Sequence, residues 1–452
     1  MIFAKQAKLP SGWAKNVRLT FTSGRITAID VGQNPEASDV VVDTVLPALA
    51  NLHSHSFQRA MAGMTEFRMA GKDSFWTWRD LMYRFTANLT PEHIEAISAF
   101  VFLEMQEAGY ASVGEFHYLH HQPGGAPYED PGELSASIAA AAEKTGIGLT
   151  HLPVLYTYGG AGKVPLEAGQ ARFGNSVDQF NALVGRAQEV VADLPADCLV
   201  GIAPHSLRAT SPEDLKAVLK VHGSGPVHIH IAEQPKEVAD IQGWLGARPV
   251  EWLLANANVT SRWCLIHATH MTTEETVHMA RSGAVAGLCP VTEANLGDGA
   301  FNGPGYLAEN GVFGIGSDSN VLISLTEELR TLEYSQRLRD MARNVMVVGE
   351  GPVGEALYMG AAKGGAQALG RGTGTIVIGE LADLVAIDST SPTLCYLRDD
   401  QLLDGLVFAA KDAVVTDVWS AGRHAVKSGR HISHNEITTA YRATMQSLIA
   451  LL

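Results

Sequence analysis

Hydrophobic spacing changes twice along the chain. Up to about residue 45 apolar and polar positions alternate in short runs, and VRLTFTSGRITAIDVG (Val17 to Gly32) reads as two strands joined at Ser23-Gly24. From about residue 47 to 373, apolar runs of strand length are separated by longer amphipathic stretches, the texture of repeated βα units around a parallel sheet. Alternation returns from Gly374 in GTIVIGELADLVAIDS and VVTDVWSAGRHAVKSGRH, with Gly and Asp at the turns. The pattern predicts a small β-sandwich domain formed from residues 1–46 and 374–434, a larger α/β domain over 47–373, and a C-terminal helix over 435–452.

Within the middle region one helix is well marked. Thr90 caps it, Pro91 takes its first position, Ile94, Ile97, Val101 and Met105 share a face, and Gly109 stops it. Strands are expected at Leu49, at ASVGEF from Ala111, at GLTHLPVLY (148–156), LVGIAPH (199–205), VHIHIAE (227–233), WCLIHATH (263–270), AVAGLCP (284–290) and VFGIGSD (312–318). Eight strands alternating with helices predict a (β/α)8 barrel of the TIM type; a doubly wound open sheet shares the same local texture.

Composition narrows the class of protein. With 452 residues, 46% of them hydrophobic and 18% charged, the chain suits one large catalytic domain with a smaller companion. A net charge of −15 argues against general binding to nucleic acid or anionic membrane and requires local arginines for any anionic substrate. No run of about eighteen apolar residues and no leader pattern occurs, so a cytoplasmic location is expected. Cys198, Cys264, Cys289 and Cys395 are far apart without a CxxC pattern and read as small hydrophobes.

Against that background LPALANLHSHSFQRAMAG (Leu46 to Gly63) stands out, because alternation in a strand sends His53 and His55 to one face, where two imidazoles converge on a point. His230, His267 and Asp318 each fall at the C-terminal end of another apolar strand. In a barrel all those ends open onto the face where active sites lie. The resulting set of imidazoles with one aspartate suits Zn2+ and also Fe2+ or Mn2+. Glu233, three residues after His230, is placed to face a reacting water without being a ligand. NLGDGAFNGPGY (Asn295 to Tyr306) has neither the lysine nor the glycine spacing of a phosphate loop. His120 and His121 read as loop histidines.

The HxH strand, HIHIAEQ, CLIHATH, GSD and the terminal ADLVAID and VWSAGRHAVKSGRH segments resemble the amidohydrolase superfamily across nearly the whole chain. More narrowly, NLHSHSFQRAMAG, DSFWTWRDLMYR, EFHYLHH, HSLRA, HIHIAEQPKEV, TEANLGDG and GIGSDSNV are similar to the formimidoylglutamate deiminases. The resemblance implies one zinc ion held by His53, His55, His230 and Asp318, with His267 orienting the attacking water. Binuclear relatives carry a bridging lysine on the fourth strand; here no lysine follows GLTHLPVLYTYGG until Lys163.

The implied reaction is hydrolysis of N-formimino-L-glutamate to N-formyl-L-glutamate and ammonia in histidine degradation. Arg79 and Arg208 match the family's substrate-binding positions, with Gln58, Tyr118 and His205 adding polar contacts; guanidinium forks suit carboxylates. In that mechanism Asp318 takes the proton of the water and Glu233 delivers one to the departing nitrogen. A homodimer is implied as well. Three other readings stand beside this one: a deaminase of cyclic amidines, cleavage of the same substrate to glutamate and formamide, and a non-catalytic metal-binding protein. The arginine pair favours a substrate with carboxylates, and the presence of both Glu233 and Asp318 favours catalysis.

Overall fold

Parallel pairing orders the middle of the chain. A computed structural model describes residues 1–66 and 75–450. The first barrel strand, Leu49–Ser54, pairs with Tyr110–His117, which pairs with Gly148–Leu155. Two short pieces, Leu199–Val200 and Ala203–Pro204, share the fourth position beside that third strand. Val227–Ile231, Trp263–His267, Val285–Leu288 and Val312–Ile315 follow as the fifth to eighth, all parallel. Bridges at Ile202 with Val227, Ser206 with His230, and Ser54 with Asp318 join the two arcs. That last bridge decides between the two expected architectures, because an open sheet has no contact between its first and last strands. The sheet is a closed (β/α)8 barrel.

The first three strands are buried at every residue, as expected for parallel strands covered by helices. Helix starts follow local chemistry. Thr90, Ser176, Ser211, Thr272 and Ser324 each accept a backbone N–H of the first turn of the helix that follows, and the Thr90 helix spans Pro91–Glu107.

The two ends of the chain meet in one eight-stranded mixed sheet. Its central joint is Leu384–Ile387 running antiparallel to Val40–Pro47, which in turn lies parallel to Ile2–Leu9. The Gly12–Thr22 and Arg25–Val31 strands complete one side as a hairpin; Ser23 and Gly24 at its turn have φ of 49° and 80°, the left-handed pair that a tight hairpin requires. Ile2, Val17, Leu19, Ile26, Val45, Leu384 and Trp419 belong to a separate apolar cluster within this sheet. The last helix, His434–Ile449, stacks Tyr441 on Phe100 of Pro91–Glu107 with ring centroids 4.0 Å apart. Among the described residues no helix is long and apolar enough to cross a membrane.

Candidate active site

Each residue of the predicted cluster sits at the C-terminal end of a barrel strand or just beyond it, where the parallel ladder stops and the backbone turns away. The turns are sharp. Ala232, His267, Ala268 and Asp318 all have positive φ, between 47° and 68°, a region that costs a non-glycine residue about 1–3 kcal/mol. The barrel supplies the constraint: Ala268 N donates to Ile231 O at 3.0 Å, and Asp318 N donates to His53 O at 2.9 Å.

His53, His55, His230 and Asp318 are buried, with one possible ligand atom from each lying within 4.8 Å of all the others. Asp318 Oδ1 is 3.4 Å from His53 Nε2 and 3.3 Å from His55 Nε2, while His230 Nε2 lies 3.1 Å from His53 Nε2. The far nitrogens of two rings are already committed: His55 Nδ1 donates to Phe116 O at 2.8 Å and His230 Nδ1 to His205 O at 3.0 Å. Those bonds put the proton on Nδ1 and leave an Nε2 lone pair aimed into the cluster. Two imidazole lone pairs and a carboxylate oxygen therefore face one buried point beside His53 Nε2, an arrangement that a divalent cation fits.

Electrostatics agree with ligand chemistry. Burial pushes His53 down to about 3 and lowers His55 and His230, so these rings stay neutral. Burial would raise Asp318, but its His53 hydrogen bond and the surrounding imidazoles hold it well below the usual carboxylate range. His267 goes the other way. Burial works to lower it, yet the Glu233, Glu293 and Asp318 carboxylates raise it to about 10.

His267 Nε2 lies 3.7 Å from Glu233 Oε1 and 3.8 Å from Asp318 Oδ2, so the three border a common space. Burial pushes Glu233 up to about 7. Its other oxygen is 3.4 Å from Arg208 Nη2, and its backbone N–H donates to Glu237 Oε2 at 3.1 Å. Gln58, Arg79, Tyr118, His205 and Arg208 all line the same cleft as His55, His230, Glu233, His267 and Asp318. Gln58 Nε2 donates to Tyr118 Oη at 2.7 Å, and the Arg79 guanidinium lies over the Tyr83 ring at 5.3 Å. Of the DSFWTWRDLMYR segment, Asp73 and Ser74 fall outside the described residues.

Several residues near the site escaped the sequence reading. Tyr83, Tyr156 and Phe173 form aromatic wall, and Tyr156 was detectable as the residue that closes the third strand run. Glu237, in the helix Pro235–Leu245, and Glu293, in the helix Pro290–Leu296, left no spacing signal in the sequence. Cys289, read as a small hydrophobe, is buried with its sulfur within reach of His267 and Asp318. His120 and His121 do bond backbone, Val154 O at 2.9 Å and Gly174 O at 2.5 Å.

Comparison with known proteins identifies the family. Residues 44–425 match the amidohydrolase family, and residues 1–41 match the N-terminal domain of formimidoylglutamate deiminase HutF. The chain is 48% identical over 451 residues to a formimidoylglutamate deiminase of Pseudomonas aeruginosa, with 99% of each sequence covered. A crystal structure of an amidohydrolase from Brucella melitensis is similar at a TM-score of 0.95 and 48% identity, covering 99% of both chains. A zinc-bound adenosine deaminase from Xanthomonas campestris shares the fold at a TM-score of 0.81 and 21% identity, over 99% of this chain and 98% of that one. With both ends and the barrel accounted for, the chain belongs to the amidohydrolase family and, within it, to the formimidoylglutamate deiminases.

Proposed function

We propose that the cleft hydrolyses N-formimino-L-glutamate to N-formyl-L-glutamate and ammonia, a step of histidine degradation, with one zinc ion held by His53, His55, His230 and Asp318. One observation carries the substrate assignment: Arg79 and Arg208 line the same cleft as the imidazole and carboxylate cluster, in a chain of net charge −15. Two guanidinium groups lining the cleft of so acidic a protein suit a dicarboxylate better than a neutral purine. The reading extends to a cytoplasmic location and, as the resemblance implies, a homodimer.

When bound, zinc supplies Lewis acidity that brings the pKa of water towards about 7. The chain does the rest. Asp318 Oδ1 faces His53 and His55, which leaves Oδ2, on the His267 side, to take the proton of the attacking water. His267 Nε2 looks at both Asp318 and Glu233 and so fixes the direction of attack. Glu233 is poised near neutrality, where a group can both accept and donate. Ionised, it holds the cationic formimino group; after attack it receives, across the space both carboxylates share with His267, the proton Asp318 drew from the water, and hands it to the terminal nitrogen, which leaves as ammonia while the new hydroxyl gives its proton to Asp318. Gln58, Tyr118 and His205 supply polar contacts along the wall.

The test is a product assay with zinc-loaded protein and N-formimino-L-glutamate, following ammonia and identifying the organic product by mass. Ammonia with N-formylglutamate, abolished by a chelator and restored by zinc, is expected. Glutamate with formamide would reverse the direction of collapse, and hydrolysis of purines instead would overturn the substrate.

A further inference from the structure

We propose that Glu293 is a positioning residue for His267: its carboxylate keeps the proton on Nδ1 and so makes Nε2 the nitrogen presented to the reacting atoms. The inference rests on the reading of the cleft given above. Glu293 lies in the helix Pro290–Leu296, which follows the seventh barrel strand. Its Oε1 is 3.2 Å from His267 Nδ1 and also accepts the Cys289 N–H at 3.0 Å, so backbone fixes the carboxylate before the imidazole meets it.

Three observations give this pair a role beyond packing. First, the ring stands between two environments. Nδ1 faces Glu293, which does not line the cleft, and Nε2 faces Glu233 and Asp318, which do. Glu293 Oε1 already accepts the Cys289 N–H, so toward the ring it is an acceptor, Nδ1 is the donor, and Nε2 is the nitrogen left to the cleft.

Second, the partner differs from those of the neighbouring rings. His55 and His230 turn their Nδ1 to backbone carbonyls, which are neutral and suit rings that remain neutral ligands. Among the described residues His267 is the ring of this cluster whose Nδ1 meets a carboxylate, the partner that stabilises positive charge on an imidazole. Third, His267 and Ala268 both have left-handed backbone, with φ of 68° and 47°. A side chain leaving so constrained a turn gains direction from a second anchor.

A double-mutant cycle tests the assignment, using zinc-loaded wild type, Glu293→Gln, His267→Ala and the double variant. Glu293→Gln is expected to lower kcat by about 10–100-fold, with zinc content unchanged and KM within about twofold of wild type. The double variant is expected to be no slower than His267→Ala alone, because the carboxylate acts only through the ring. Losses that multiply, or a Glu293→Gln enzyme with wild-type kcat, would overturn the proposal. If Glu293→Gln does not fold, Glu293→Asp keeps the charge but withdraws it by one methylene; a fall in kcat there supports the proposal and wild-type kcat overturns it. Nitrogen-15 NMR of the imidazoles gives a readout without substrate. A downfield Nδ1–H signal that Glu293→Gln removes supports the pairing even if the wild type turns over another substrate, and its persistence in the variant overturns it.

Discussion

A carboxyl group that must exchange a proton near neutrality has to be taken out of water, and Glu233 is 4% exposed. Burial is the largest influence and raises it; His267 and Arg208 pull it down, and Glu237 and Asp318 push it further up, to about 7. Glutamine at this position has nearly the same volume and can still donate from its amide, but carries no transferable proton. Glu233→Gln is therefore expected to fold and to keep its zinc, while turnover drops by about 100- to 10,000-fold. Ammonia release and metal analysis on the same preparation check both halves. A variant with wild-type turnover would remove Glu233 from the proton transfers. His53 and His55 were legible in sequence because alternation in a strand fixes their common face. Glu293 and Glu237 were not: each acts by folding back from a helix onto a strand-end residue, and no spacing rule connects Glu293 to His267.

At the scale of elements, the last barrel strand is steered by a helix that accepts glycine in its interior. A Cβ on Gly364, in Val353–Ala368, would lie 1.8 Å from Phe313 O, and one on Gly314 would lie 2.8 Å from Gly365 N. Each helical glycine costs about 1 kcal/mol relative to alanine, so the close approach must return more than that. The contact matters to the site because the strand runs on into Gly316, where a Cβ would come within 2.7 Å of the His53 backbone, and then to Asp318. Gly364→Ala is expected to destabilise the protein by about 1–3 kcal/mol and to lower zinc occupancy. Gly243→Ala, in helix Pro235–Leu245 with nothing within 4 Å, is expected to stabilise by about 0.5–1 kcal/mol. Urea midpoints of the two variants should move in opposite directions; movement in the same direction would refute the packing argument. All eight strand positions were legible as apolar runs. Their number predicted a barrel, but the pairing that closes it, Ser54 with Asp318, leaves no periodic trace. The fourth run also divides into two short pieces around Gly201, whose Cβ would lie 2.7 Å from Pro226 O.

At the scale of the whole molecule, alternation at both ends announced paired strands, but the charges that tie those strands to the barrel carry no sequence signal. Arg371 follows the last barrel helix and is buried between Asp197, which precedes the fourth strand, and Asp383, which precedes Leu384–Ile387. Its Nη2 is 3.1 Å and 3.0 Å from their carboxylates. Arg423, from the terminal sheet, grips Asp197 from the other side through both terminal guanidinium nitrogens, at 2.6 Å and 2.8 Å. Burial works to raise Asp197, but Arg423 and Arg371 outweigh it and hold the carboxyl below its ordinary value. A carboxyl depressed by folding contributes stability that is complete above the unfolded value of about 3.9 and is lost as pH falls through the lower folded value. Asp197→Asn keeps the shape and removes the charge, so it is expected to lower stability at pH 7 by about 1.5–3 kcal/mol, the range for hydrogen bonds to charged groups. The gap between wild type and variant should stay constant down to about pH 4 and narrow below it, because there the wild type also loses the charge. Urea unfolding of both proteins across that range measures the gap directly. A gap that closes already between pH 7 and pH 5 would assign the loss to a different titrating group and break the link between this carboxylate and the joining of the two sheets.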